Sequence, residues 1–300
     1  MVIINDYRQH IFKSFINRDP QPILSISKGE RQMTSWTYAV TGVASGIGAE
    51  LARLLKAQNH RVIGFDIQET HDNVDQFVML DLNDVSSIAL AAASIDEPLN
   101  GLCNNAGLPP RAGLEEAILQ VNFLGTRAFT HAMTPHFLTG ASIVNMASRA
   151  GHEWRVGADQ VKRLSTITDK HQLAEFIESE GIDATRCYNL TKEAMILWTV
   201  AETEAMARRG VRINSLSPGG ISTGILSDFQ KAFGSQMAKN VARAGRPGAP
   251  TEIAEIAAFL LSPASNWIKG ADIAIDGGMG AFNQSDAMDL SCLSLGYKAQ

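Results

Sequence analysis

The chain has 300 residues, 45% of them hydrophobic and 19% charged, with a formal net charge of −5, which is enough apolar material for a sizeable core. The acidic balance and the absence of a Lys/Arg cluster exclude the electrostatic footprint of a nucleic-acid binder. No apolar run reaches the roughly 18 residues that a membrane span needs.

Residues 1–34 form an N-terminal extension. Ile4, Tyr7, Ile11, Phe12 and Phe15 recur at helical spacing, which predicts a short amphipathic helix. The extension lacks the apolar segment of a secretory signal, and Asp6 and Asp19 argue against a mitochondrial presequence. Met33 is an alternative start residue. From residue 36 strand-like and helix-like segments alternate. Strands are predicted over 36–41, 61–65, 77–80, 101–104, 142–147, 211–215 and 272–275, several as the continuous apolar runs of strands covered on both faces. Helices are predicted over 46–58, 85–93, 119–134, 189–208 and 252–261. This alternation implies parallel pairing through right-handed crossovers. The expected fold is therefore a doubly wound α/β sheet in one domain, residues 35–280, with a loose tail over 281–300. Residues 151–187 break the rhythm and read as an insertion with two short helices. One of these starts at Asp169 as N-cap, carries Leu173, Phe176 and Ile177 on one face, and stops at Gly181.

Residues 41–48, TGVASGIG, place three glycines between the first strand and the first helix. Gly42 suits a tight turn, Gly46 a close approach to a pyrophosphate, and Gly48 close packing of helix on strand. The helix N-terminus offers N–H groups and partial positive charge to phosphates. Asp66 ends the second strand 18 positions after Gly48, near the distance at which a carboxylate meets an adenosine ribose. A carboxylate there repels a 2′-phosphate, and no Lys or Arg occurs at 43–45 or 67–68. NAD is the expected cofactor, with NADP disfavoured. Cys103, Cys187 and Cys292 fit neither a disulfide framework nor a metal site. They point to free thiols in a reducing cytoplasm, with Cys187 a small apolar filler. No metal is expected.

The ordered series TGVASGIG, LDL (80–82), NNAG (104–107), VNFLG (121–125), SIVNMAS (142–148), YNLTK (188–192), SPGGIST (217–223) and IDGG (275–278) resembles the short-chain dehydrogenase/reductase family. The resemblance spans residues 36 to about 280. In look it is nearest to the coniferyl-alcohol dehydrogenase and 3α-hydroxysteroid dehydrogenase/carbonyl reductase branches. It implies a Rossmann-type fold with seven parallel strands and a nicotinamide cofactor. Gly42, Ser45, Gly46, Ile47 and Gly48 would surround the pyrophosphate and nearby ribose, and Asp66 would bind the adenosine ribose. Asp81 and Leu82 would meet the adenine. Asn105, Ala106 and Gly107 would floor the groove. Ile221 and Thr223 would face the carboxamide, with Pro218 and Gly219 in the same motif. The catalytic tetrad would be Asn122, Ser148, Tyr188 and Lys192, with Lys192 also on the nicotinamide ribose and Asn122 holding a relay water. Residues 222–245, with Gly224, Phe229, Phe233 and Gly234, would be a substrate lid. The partner would be a small-molecule alcohol or carbonyl compound, and the assembly a homodimer or homotetramer.

The chemistry suits these residues. Tyrosine titrates near 10, too high for a base at neutral pH. Tyr188 and Lys192 are four apart on a predicted helix and share a face. An ammonium about 4 Å from the phenol oxygen favours phenolate by about 4 kcal/mol at an effective dielectric of ~20, enough to bring Tyr188 toward neutrality. Ser148, at a strand's C-terminal end, can steady the substrate oxygen. An enoyl reductase would usually carry a wider Tyr–Lys spacing, and a dinucleotide-sensing protein would not need the intact tetrad. Ser148 and Tyr188 stand 40 positions apart, far more than in most members. The insertion between them is expected to alter or block the usual helix-mediated subunit pairing. Trp154 reads equally as a substrate wall or as packing beneath the insertion, and His152 as a solvated loop residue in preference to a pocket wall.

Overall fold

The structure, a computed structural model, describes residues 35–293. The helix read over 4–15, Met33 and the last seven residues lie outside that range. The first half runs β1 (Thr37–Thr41), α1 (Gly46–Ala57), β2 (Arg61–Asp66), β3 (Gln76–Met79), α2 (Val85–Ala93) and β4 (Leu99–Asn104). Next, α3 (Glu115–Leu119) passes through a π-helical turn, Gln120–Gly125, into α4 (Thr126–Met133), which is followed by β5 (Phe137–Met146). Then come α5 (Ala158–Ser165), α6 (Lys170–Glu180), α7 (Ala184–Arg208) and β6 (Arg212–Pro218). The chain ends with α8 (Leu226–Ala244), α9 (Pro250–Leu261), β7 (Asp272–Ile275) and α10 (Met279–Ala287).

All seven strands pair in parallel in the order β3-β2-β1-β4-β5-β6-β7. The apolar runs do what both-face burial requires. Val62 joins the layer formed with Leu51 and Leu55 of α1 and Ile253 and Ala257 of α9. Its neighbour Ile63 points the other way, to Ile88 of α2 and Phe129 of α4. Phe129 also meets Phe65 edge on, with centroids 5.0 Å apart. Strand order reverses between β1 and β4, so their connections part in opposite directions and leave a crevice beyond the strands' C-terminal ends.

Four elements differ from expectation. The helix expected over 119–134 starts at Glu115 and is interrupted by the π turn, which carries Asn122. Strand β5 starts five residues early because Phe137 pairs with Leu99 before a register shift. Helix α7 starts at Ala184, where the Asp183 carboxylate accepts from the Arg186 amide; this cap precedes the periodic run and was not read. The chain beyond 280 is not loose at its start. It continues as α10, where Asp286 accepts from Arg243 at 2.6 and 3.2 Å.

The insertion is ordered as read. Asp169 caps α6 by accepting from the Gln172 amide at 2.9 Å, and Gly181 ends it at φ 60°. Leu173 and Phe176 are buried. Helix α5 packs along α7, held by a buried ionic junction. Glu193 of α7, 1% exposed at its side chain, accepts from Arg186 at 2.8 Å, and Arg186 also donates to Gln160 of α5 at 2.6 Å. Cys187 is fully buried, and burial pushes its thiol up to about 12, so it packs as an apolar group. Arg186→Ala would leave the Glu193 carboxylate buried without a cation. We expect a loss of about 3–5 kcal/mol, with the double variant Arg186→Met/Glu193→Met recovering most of it; urea unfolding of the three proteins checks this.

Candidate active site

A cleft of about 970 Å³ opens beyond the C-terminal ends of the strands. Its first wall is the glycine turn after β1. Gly42 sits at φ 69°, and a Cβ there would stand 2.8 Å from Ala106 Cα. A Cβ on Gly48 would lie 2.0 Å from the Gly42 carbonyl oxygen. Turn and helix can therefore approach this closely only without side chains. A Cβ on Gly46, at φ 57°, would meet nothing nearer than the Thr223 side chain at 3.5 Å, so its face is open to the cleft. The Ser45 side chain caps none of the first amides of α1.

Thr41 clamps this turn to the end of β4. Its buried hydroxyl accepts from the Asn105 and Ala106 amides at 3.0 Å each. The Asn105 side chain donates back to the Thr41 and Gly42 carbonyls at 3.2 Å each. Asp66 stands at the cleft edge, with one oxygen on the Ala44 amide at 2.9 Å and the other on the Gln68 amide at 3.0 Å. Asp81 is fixed by the Asn83 amide at 2.8 Å and by its own amide on Ser87 at 2.9 Å.

The far wall gathers Ser148, Tyr188 and Lys192. Ser148 follows β5 in extended conformation, its hydroxyl accepting from the Ala150 amide at 3.1 Å. Tyr188 and Lys192 lie one turn apart on α7, each 6% exposed. The Lys192 amine donates to the Met146 carbonyl at 2.8 Å and lies 5.5 Å from the Tyr188 ring centroid. Asn122 does not line the cleft. Its amide is paired with the Leu108 main chain, accepting at 2.6 Å and donating at 2.9 Å, so it reaches the cleft through Leu108 and Gly107. Gly48 likewise lies behind the lining. The other predicted site residues line it: Gly42, Ser45, Gly46, Ile47, Asp66, Asp81, Leu82, Asn105, Ala106, Gly107, Pro218, Gly219, Ile221 and Thr223.

Comparison with known proteins gives the family. The family described as short chain dehydrogenase matches residues 37–158, and the one described as Enoyl-(Acyl carrier protein) reductase matches residues 172–280. Over 250 residues the chain is 35% identical to coniferyl-alcohol dehydrogenase of Pseudomonas sp. (strain HR199 / DSM 7063), covering 83% of this chain and 98% of the relative. The chain belongs to the short-chain dehydrogenase family. A second relative is 3-alpha-hydroxysteroid dehydrogenase/carbonyl reductase of Comamonas testosteroni, 28% identical over 251 residues, covering 81% of this chain and 95% of that one. The crystal structure of 3-alpha-hydroxysteroid dehydrogenase from Pseudomonas sp. B-0831, complexed with NADH, superposes with a TM-score of 0.73 at 29% identity, covering 83% of this chain and 98% of that one.

Within this short-chain dehydrogenase, one electrostatic expectation is corrected. Burial pushes the Tyr188 phenol above its ordinary value, with a hydrogen bond to the Ser148 hydroxyl pulling the other way. Lys192 does not draw it toward neutrality, because the amine is turned onto the Met146 carbonyl in the same dry corner. Burial instead lowers Lys192 to about 8. Trp154 packs with the core beneath the insertion under the Arg155 guanidinium, 3.9 Å above its ring, and is absent from the cleft lining. His152 is exposed as expected and also borders the cleft.

Arg149, Met279, Gly280 and Asn283 also line the cleft. Arg149 bonds Asp276 at 3.0 Å, and Asp276 accepts from the Gly278 and Gly280 amides at 3.0 and 2.8 Å. The signal was the IDGGMG run, in which an Asp and two glycines precede a new helix. Since Lys192 titrates lower in the fold than in the open chain, the unfolded state binds the extra proton between about pH 8 and 10.5. Its contribution to stability therefore rises with pH across that window. We expect Lys192→Met to flatten this rise and to stabilise the empty protein at pH 7 by up to about 3 kcal/mol; urea unfolding at pH 7 and pH 9 measures both.

Proposed function

We propose that the chain is an NAD-dependent dehydrogenase that oxidises a bulky aromatic or alicyclic alcohol, or reduces the corresponding carbonyl. The observation that carries this reading is the convergence of Ser148, Tyr188 and Lys192 in one buried corner of a cleft whose opposite wall is the glycine turn with Asp66. The residues fit a dinucleotide. Backbone without side chains at Gly42 and Gly46 leaves room for phosphates at the N-terminus of α1, and each oxygen of Asp66 keeps a lone pair for a ribose hydroxyl. The bound nicotinamide supplies the hydride chemistry.

The protein's own work is placement and proton transfer. The substrate hydroxyl sits against Ser148 and Tyr188, and Tyr188 takes its proton. The Ser148 hydroxyl donates to the oxygen as charge builds on it. Tyr188 needs positive charge beside it to act as a base, and Lys192, protonated below about pH 8, would supply it within the chain once its amine leaves the Met146 carbonyl. Asn122 holds the Leu108 backbone and with it the Gly107 floor of the groove. The aromatic rings of Phe229 and Phe233 beside Tyr188, together with the 35% identity to a coniferyl-alcohol dehydrogenase, favour an aryl-substituted alcohol. The fit to a hydroxysteroid dehydrogenase structure supports an alicyclic substrate as the second reading.

The four-residue Tyr–Lys spacing speaks against enoyl reduction. The complete Ser–Tyr–Lys set speaks against a sensor without turnover. A homodimer or homotetramer remains part of the proposal, and because α5 already covers part of α7 it would not pair through the insertion face. A cytoplasmic setting remains part of the proposal; among the described residues no helix is long and apolar enough to cross a membrane.

Tyr188→Phe is expected to lower kcat by about 10²- to 10⁴-fold while NADH affinity, read by fluorescence titration, changes less than about two-fold. Equal loss of both would make Tyr188 structural. Asp66→Ser is expected to shift the ratio of kcat/KM for NAD over NADP toward NADP by about 10- to 100-fold, the worth of a charge-assisted hydrogen bond. Steady-state rates with both cofactors decide it.

A further inference from the structure

The substrate half of the cleft is roofed by two aromatic rings. Phe229 and Phe233, both in the first half of α8, lie nearly parallel with centroids 6.3 Å apart. They meet the Tyr188 ring edge on at 5.2 and 6.4 Å. With these rings beside it, Tyr188 is 6% exposed while still lining the cleft. A bulky substrate that settles against Tyr188 must displace this half of α8.

Helix α8 is built in two pieces. Gly234 leaves helical geometry at φ 52°, ψ −134°, a conformation costly to any residue with a Cβ, and nothing lies within 4 Å of where its Cβ would be. The piece after this bend is anchored. Arg243 grips Asp286 with two hydrogen bonds and covers the Phe282 ring at 4.9 Å. Just beyond, Arg246 holds both carboxylate oxygens of Glu252 at 2.7 Å. The piece before the bend reaches across the cleft instead. Asp228 accepts from Arg111 at 2.7 Å, and Arg111 belongs to the loop after β4 that carries Leu108 on the opposite wall. The side chain of Arg111 is 54% exposed, so salt in solution reaches this pair. The guanidinium holds the Asp228 carboxyl below its ordinary value, as a formed pair requires.

We propose that Arg111 and Asp228 form a latch across the cleft mouth that holds residues 226–233 closed over Tyr188, with Gly234 as the hinge. That closure over Tyr188 matters for turnover rests on the dehydrogenase reading above; the latch itself does not. Exposed ion pairs contribute weakly, so this one holds the lid without locking it. Opening is a local event that spares the anchored half and the sheet.

The test is amide hydrogen exchange by mass spectrometry on the full chain, comparing wild type, Arg111→Ala and the charge-swapped double variant Arg111→Asp/Asp228→Arg. At low salt, exchange over 226–233 is expected to be about 2- to 5-fold faster in Arg111→Ala than in wild type, with residues 235–244 unchanged and the swapped variant near wild type. Raising salt to about 0.5 M should bring wild type toward Arg111→Ala and leave the single variant unmoved. Equal exchange in wild type and Arg111→Ala, a salt response that persists in Arg111→Ala, or acceleration extending through 235–244 would overturn the latch. Because exchange is read without substrate, a failure of the dehydrogenase reading would leave this result standing, and the reverse also holds.

Discussion

Two segments of backbone that meet without side chains set the frame for everything else in this protein. The turn after β1 lies against the end of β4 so closely that a methyl group at Gly42 would stand 2.8 Å from Ala106 Cα. Thr41 and Asn105 then sew the two together, each bonding the other's main chain. Because β1 and β4 flank the point where strand order reverses, this seam is also where a crevice must open. The cleft's location follows from chain topology, while the tight seam beneath it follows from the missing Cβ atoms of Gly42 and Gly48 and one buried hydroxyl.

The opposite wall obeys a different constraint. It is dry, and dryness works against charge. Tyr188 is held protonated more firmly than in water, and Lys192 holds its proton less firmly. Both groups are therefore sensitive to any charge brought beside them. The protein tolerates this cost because the surrounding layers are well filled: the helix bearing both residues is packed from one side by β6 and from the other by α5 and the Arg186–Glu193 junction.

Most of the frame was legible from the sequence because two-sided strand burial and glycine spacing leave local marks. The β1–α1 turn, Asp66, Ser148 and the Tyr188–Lys192 pair all sit where a strand ends or a helix turns, and such places are written in a few adjacent residues. What escaped depended on contacts distant in sequence. The direction of the Lys192 amine is set by the Met146 carbonyl, 46 residues away. Asn122 sits in a helical stretch, yet its amide is spoken for by Leu108 in a preceding loop. Arg149 finds Asp276 only once β5 and β7 share a sheet. Trp154, open between two readings, was decided by the insertion folding over it.

The π-helical turn at Gln120–Gly125 carries one further implication. A wide turn of this kind holds an extra residue relative to an ordinary helix, so it acts as a phase adjuster between α3 and α4. Removing one residue there returns the turn to ordinary α geometry and leaves α3 and α4 in their relative phase, whereas the same deletion inside α4 would rotate the helix upstream of it by about 100°. A deletion at position 122 would thus be absorbed by the helix while the amide that holds Leu108 is lost. The wide turn therefore makes the length of this stretch more forgiving than its sequence.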